Sequence, residues 1–266
     1  MQMTTFEPGE PPVRRNRLDS NTVARLDDVT TFAQLLDALE LVRMAHPDAR
    51  ILCTLDDLGQ CAYTSMHATL GLIEGERDDR DEPDDPAATH HAENATVSRI
   101  AALLDNPSAR VPWEALRDTR NASEDELAAL VAANRSPDRV VDDVVLIQRV
   151  PVDRDDLAIA GIPNGYFADD WSTYDNHTVI RRMITHGYRH IAVGASLLAF
   201  ARPTAPTPEQ AAALVTDLTH LYGSPSAIAW HELAVLLPTQ RQLILGYAEN
   251  FADALTADTE DAAEQP

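Results

Sequence analysis

Between residues 143 and 248 the hydrophobic period switches in the order strand, helix, strand, strand, helix, strand, and that order leaves few folds open. Val144-Val145-Leu146-Ile147 is a β-branched run suited to a buried strand. Residues 176–186 read as a helix whose apolar face centres on Ile180, Met183 and Ile184, with Thr178, Arg181, Arg182 and Thr185 turned away. Gly187 supplies its left-handed stop. Arg189 to Val193 and Leu197 to Arg202 are strands joined by the tight connection Gly194-Ala195-Ser196. Thr207, Pro208 and Gln210 then provide an N-cap, a first-turn proline and a capping-box partner. Ala211, Leu214, Val215, Leu218, Leu221 and Tyr222 line one face of that helix, and Gly223 ends it. A short helix over 227–236 precedes a last strand, Gln242 to Tyr247.

This is the order of a ferredoxin-like split β-α-β-β-α-β unit, expected over residues 139–250 of an α+β protein. It predicts two helices on one face of a four-stranded antiparallel sheet. The pleat sends Ile191 and Val193 into the core and leaves His190 on the far face.

Residues 28–138 read as a separate N-terminal α/β region, with the boundary at Ser136-Pro137-Asp138. Its first helix spans about 31–45: Thr31 and Gln34 have capping-box spacing, Phe32, Leu35, Leu36, Leu39 and Val42 form one stripe, and Pro47 ends it. Ala49 to Leu55 reads as a strand and Gln60 to Ser65 as its hairpin mate, which sets Cys53 and Cys61 facing each other across two strands. Residues 68–73 fit either strand or helix. Residues 74–93 crowd like charges and read as a mobile acidic loop closed by His90 and His91. Helices are expected at Val97, Ile100, Ala101 and Leu104, after Pro112, and from Ser123, where Glu126 completes a capping box above Leu127, Leu130 and Val131. Residues 1–27, with the cluster Arg14-Arg15-Asn16-Arg17, and the acidic residues 251–266 are expected to be disordered tails.

Composition excludes more than it assigns. Acidic residues outnumber basic ones 43 to 21, a formal charge of −22, which repels phosphate backbones and anionic lipid, so direct duplex DNA binding is not expected and a basic protein partner is. Every one of the 21 cationic side chains is arginine; the chain holds no lysine. A phosphate loop and Schiff-base chemistry both need one. Neither Gly-x-Ser-x-Gly, Gly-x-Gly-x-x-Gly nor Cys-x-x-Cys occurs, and His231-Glu232 lacks the second histidine of a zinc-protease helix, Val235 standing in its place. Two cysteines are too few for a disulfide scaffold. No apolar run approaches the about 18 residues of a membrane span, and no signal-peptide core opens the chain, so a cytoplasmic protein is expected.

One segment has the composition of a site. Pro163-Asn164-Gly165 dictates a turn, and Tyr166, Asp169, Asp170, Trp171, Tyr174, His177 and Arg181 follow it around a helix N-terminus, where exposed N–H groups favour a negatively charged group. Ser172 and Asp175, at capping-box spacing, read as the cap of that helix. Two chemistries fit. Asn164, Tyr166, Asp169, Asp170, Trp171, Tyr174, His177 and Arg181 form a ligand- or partner-binding loop, or Asp169, Asp170 and His177 hold a divalent metal for hydrolysis. The absence of an assembled catalytic motif favours a non-catalytic binding or regulatory module, with no cofactor and no metal assigned. A nucleic-acid mimic, its carboxylates imitating phosphates, is a third expectation, weakened because the densest acids fall in segments read as mobile.

Overall fold

The structure, a computed structural model, describes residues 1–7, 18–73, 85–249 and 251–253. The strands β1 (Gln2–Thr5), β2 (Thr22–Asp27), β3 (Arg50–Thr54), β4 (Val144–Val150), β5 (Arg189–Val193), β6 (Leu197–Ala201) and β7 (Gln242–Gly246) form one sheet in the order β1-β2-β4-β3-β5-β6-β7. Neighbours are antiparallel except β3 and β5, which run parallel with Cys53 opposite Ala192 and Thr54 opposite Val193. Around it pack α1 (Phe32–Ala45), α2 (Leu58–Leu72), α3 (Pro86–Asp105), α4 (Glu124–Arg135), α5 (Thr173–Thr185), α6 (Pro208–Tyr222) and α7 (Ile228–Leu236). Consecutive residues of β3, β5, β6 and β7 are buried, so both faces of the sheet are covered.

Local signals sit where the residues put them. The Thr31 side chain accepts the Gln34 N–H at the start of α1, and complete capping boxes open α4 (Ser123 and Glu126), α5 (Ser172 and Asp175) and α6 (Thr207 and Gln210). Gly187 takes a φ of +81°, beyond the end of α5.

Pairing departs from expectation. The four strands of the anticipated ferredoxin-like unit are present, but β3 lies between β4 and β5, and β7 extends the β5–β6 hairpin instead of returning to β4. The four-stranded antiparallel sheet is thus corrected to a seven-stranded mixed one, in which β3, from before residue 138, is inserted between β4 and β5, from after it. The reason is burial. Ile51, Leu52, Cys53 and Leu55 are 3% exposed or less, and a strand apolar on both faces needs a central place. His190, expected on a far face, is likewise enclosed, at 1% exposure.

Four further corrections concern the N-terminal half and the end of the chain. Gln60 to Ser65 belongs to a helix, α2, not to a hairpin mate. Asp57 turns left-handed at a φ of 39° and caps the Gln60 N–H, Asp142 accepts the Leu58 N–H, and Cys61, Thr64, Ser65 and Ala68 bury one helical face. Cys53 and Cys61 are buried free thiols directed at the backbone carbonyls of Ile191 and Val193, at 3.4 and 3.3 Å. Residues 1–7 and 18–27 include two paired strands in place of a disordered tail: Val23, Ala24 and Leu26 of β2 are buried between β1 and β4. Part of the segment read as an acidic loop, residues 86–93, is the first two turns of α3, capped by Asp85. Phe251, in the segment read as a tail, is fully buried and packs so tightly over Gly246 that a Cβ there would lie 2.1 Å from its ring. Residues 74–84, the Arg14-to-Arg17 cluster and residues 254–266 lie outside the described residues.

Candidate functional site

The loop after β4 passes through a 3-10 turn, Asp155–Gly161, before reaching α5. Gly165 is required by geometry as well as by its φ of +92°, because a Cβ there would meet the Trp171 carbonyl oxygen at 1.9 Å. That closeness folds the loop back on itself and divides the candidate residues into two groups.

The first group is committed to holding the fold. Asn164 is fully buried: its Nδ2 donates to the Gly194 carbonyl at 3.0 Å, its Oδ1 accepts the Gly165 N–H at 3.0 Å, and its carbonyl accepts the Thr173 hydroxyl at 2.8 Å. Trp171 is 3% exposed, donates Nε1–H to the Thr119 hydroxyl at 3.0 Å, and donates its backbone N–H to the Tyr247 carbonyl. Tyr174 is half-buried against the core. The Asp170 carboxylate accepts the Glu249 N–H at 3.3 Å, and burial pushes its pKa up. His177 is 2% exposed, with its Nε2 3.1 Å from Asp156 Oδ2. Arg154 reaches both oxygens of that carboxylate, at 3.0 and 2.8 Å, and Arg181 Nε stands 3.9 Å away. Burial opposes ionisation of Asp156, but the bonds from His177 and Arg154 outweigh it and hold the carboxyl well below the usual range.

The metal trio is therefore not brought together. His177 is engaged by Asp156 and Asp170 by the Glu249 backbone, and among the described residues no three His, Cys, Asp or Glu side chains form a group that could hold a metal ion. His90 is also occupied, with Ser20 Oγ 2.7 Å from its Nδ1 and Asn94 Nδ2 3.0 Å from its Nε2.

The second group faces solvent. Tyr166 and Phe167 are 45% and 49% exposed, and Asp169 beside them is exposed too. The Tyr166 ring lies 4.7 Å from the His67 ring, which lies 4.4 Å from Tyr63; Phe167 meets Tyr166 edge-on at 5.3 Å. Tyr63 and Met66, 48% and 51% exposed, flank His67 on α2. The result is one run of four touching rings with a methionine beside it, built from two segments about 100 residues apart in the chain. Sequence reasoning found the loop half only. The α2 half carried a readable signal, Tyr63, Met66 and His67 at i, i+3 and i+4, hidden by reading that stretch as a strand.

No protein-family model, curated protein or solved structure matches the chain. No helix among the described residues is long and apolar enough to cross a membrane.

Proposed function

We propose that the protein is a non-catalytic binding module whose partner is a basic polypeptide segment, taken on the aromatic face formed by Tyr63, Met66, His67, Tyr166 and Phe167. The observation that carries this reading is the exposed run of rings itself. Half-exposed aromatics clustered in one place, rimmed by polar groups, are the composition of an interface centre, where Tyr and other large rings dominate binding energy. Charge selects the partner. The chain carries a formal −22, exposed Asp169 adjoins Phe167, and seven carboxylates follow α2 in residues 74–84. Such a field steers cations in, and tyrosine faces hold arginine or lysine by cation–π attraction of about 0.5–2 kcal/mol each. The buried reduced thiols Cys53 and Cys61 fit work in a reducing compartment such as the cytoplasm.

Titration calorimetry with an arginine- and lysine-rich peptide of about twelve residues, against a peptide with those positions changed to glutamine, tests the reading. The expected result is binding that weakens with salt and falls at least about tenfold in Tyr63→Ala/Tyr166→Ala. Binding that survives loss of both rings unchanged means bulk charge alone is responsible, and the aromatic face is then no docking site. No binding at low salt overturns the proposal altogether.

A further inference from the structure

Away from that face, at the amino ends of the parallel strands β3 and β5, a cavity of about 260 Å³ gathers the chain's scarce positive charge. Arg43 enters it from the last turn of α1, Arg50 opens β3 and Arg189 opens β5. A single carboxylate in its wall, Asp155, answers these three guanidiniums. It is already shared, standing 2.7 Å from Arg50 Nε and 3.4 Å from Arg189 Nε. Among the described residues the one ion pair of Arg43 is with Glu40 at 3.7 Å, a carboxylate 65% exposed. On a protein with a formal charge of −22, a concave site with guanidiniums in excess is the opposite of the surface average.

Besides Arg50 Nε, which Asp155 holds only as an ion pair, two buried polar atoms on the lining residues are unused among the described residues. Arg43 Nη2 has no hydrogen-bond partner, and neither has His190 Nδ1 on a ring 1% exposed. The His190 Nε2 lies 3.1 Å from the Ala192 carbonyl, which accepts, so the ring proton sits on Nε2 and Nδ1 is left as an acceptor. Burial lowers the His190 pKa to about 3, so the ring stays neutral and that lone pair stays available. An orphaned buried polar group is costly, so a wall holding both a free donor and a free acceptor calls for an occupant that satisfies both.

We infer that this cavity binds a small oxyanion that keeps a hydroxyl, of the chemical class of hydrogen phosphate. Its charged oxygens take Arg43 and Arg189, and its O–H donates to His190 Nδ1. The size agrees: the cavity is smaller than the about 300–1,000 Å³ of pockets for drug-sized ligands, yet several times the about 30 Å³ that one water occupies. Ile51 and Ala158 supply an apolar wall that keeps the local dielectric low and strengthens the guanidinium contacts.

Calorimetry on the full chain near pH 8, at fixed ionic strength, compares inorganic phosphate with sulfate. Both are dianions there, and only phosphate retains a hydroxyl. Phosphate is expected to bind at least about tenfold more tightly than sulfate, the factor that one buried hydrogen bond supplies. Arg43→Met is expected to weaken phosphate binding at least about tenfold, and Arg189→Gln, at the half-exposed mouth, about threefold or more. Absence of phosphate binding up to about 10 mM overturns the assignment. So does sulfate binding equal to phosphate, or phosphate affinity unchanged in Arg189→Gln and a folded Arg43→Met.

Discussion

His177 Nε2 lies 3.1 Å from Oδ2 of Asp156, a residue on the far side of the Pro163-Asn164-Gly165 turn, and both side chains are buried. The contact turns the most reactive-looking histidine of the loop into the clamp between α5 and the 3-10 turn Asp155–Gly161.

That clamp sets an acid limit. Asp156 has its pKa depressed in the folded chain, so its contribution is complete above the unfolded value near 4 and is lost as pH falls below it. Asp156→Asn is expected to flatten the fall of stability between about pH 4 and 2, and His177→Ala to cost about 2–3 kcal/mol at neutral pH. Urea denaturation across that range checks both; an acid limb identical in Asp156→Asn and the parent contradicts the first.

Asp56 acts in the opposite direction. Its Oδ2 accepts the Ser196 N–H at 3.0 Å while burial raises its pKa to about 7. The folded chain therefore holds a proton that the unfolded chain releases near pH 4, so this contribution is full below about pH 4 and is lost as pH rises through about 7. Asp19, raised to about 6 by burial and by the charge of Glu93, adds to the trend. Stability is expected to decline from pH 5 to 8 by an amount on the order of 2–4 kcal/mol, and Asp56→Asn to remove much of that slope. Denaturant midpoints that rise across this window would refute it.

Two glycines should respond to alanine with opposite signs. A Cβ on Gly194 would stand 1.5 Å from Asp56 Oδ1 and 2.7 Å from its backbone nitrogen, whereas one on Gly71, on the open side of α2, meets nothing within 4 Å. Gly194→Ala is expected to cost about 3 kcal/mol or more, and Gly71→Ala to stabilise by roughly 0.5–1 kcal/mol. Thermal melts of the two variants decide it.

Asn134 protects a sheet edge. From α4 its Nδ2 donates to the Leu130 and Ile244 carbonyls at 2.9 and 2.8 Å, and its Oδ1 accepts the Ile244 N–H at 2.9 Å. The amide thus occupies the place of a further strand beside β7, the last in the sheet order. Asn134→Ala leaves both Ile244 groups unpaired in a buried site, for an expected loss of about 2–4 kcal/mol. Association at high concentration is the accompanying sign, read by light scattering. Asn134→Ala as stable as the parent would remove Asn134 from this role.

Much of this molecule was legible as residues. The boxes at Ser123, Ser172 and Thr207 depend on side chains three positions away, and each forms as its spacing dictates, whereas at Thr31 only the hydroxyl half forms and the Gln34 side chain turns to Thr30. The stretch Gln60 to Ser65 misled because its helical face shows only when Ala68 and the cap at Asp57 are counted with it, and the strand-like reading used a shorter window. β2 escapes a local reading for another reason: Thr22-Val23-Ala24-Arg25-Leu26-Asp27 is short and breaks strict alternation at Val23-Ala24, and it becomes a strand because β1 and β4 supply its hydrogen bonds. The candidate loop was found in sequence, but its division into buried latches and exposed rings was not.

The sequence by itself determined the helices and strands between residues 144 and 246, the helix caps and stops there, the glycine demanded at the turn after Asn164, and the chemistry ruled out by a chain without lysine. Tertiary structure alone decided that β3 separates β4 from β5, that Tyr63 meets Tyr166 through His67, and that Arg43, Arg50 and Arg189 surround one cavity. The difference is physical. Caps and periods act between residues a turn apart, whereas the backbone bonds that pair strands are alike for nearly all residues, so partners are chosen by which arrangement buries the most apolar surface across the whole chain.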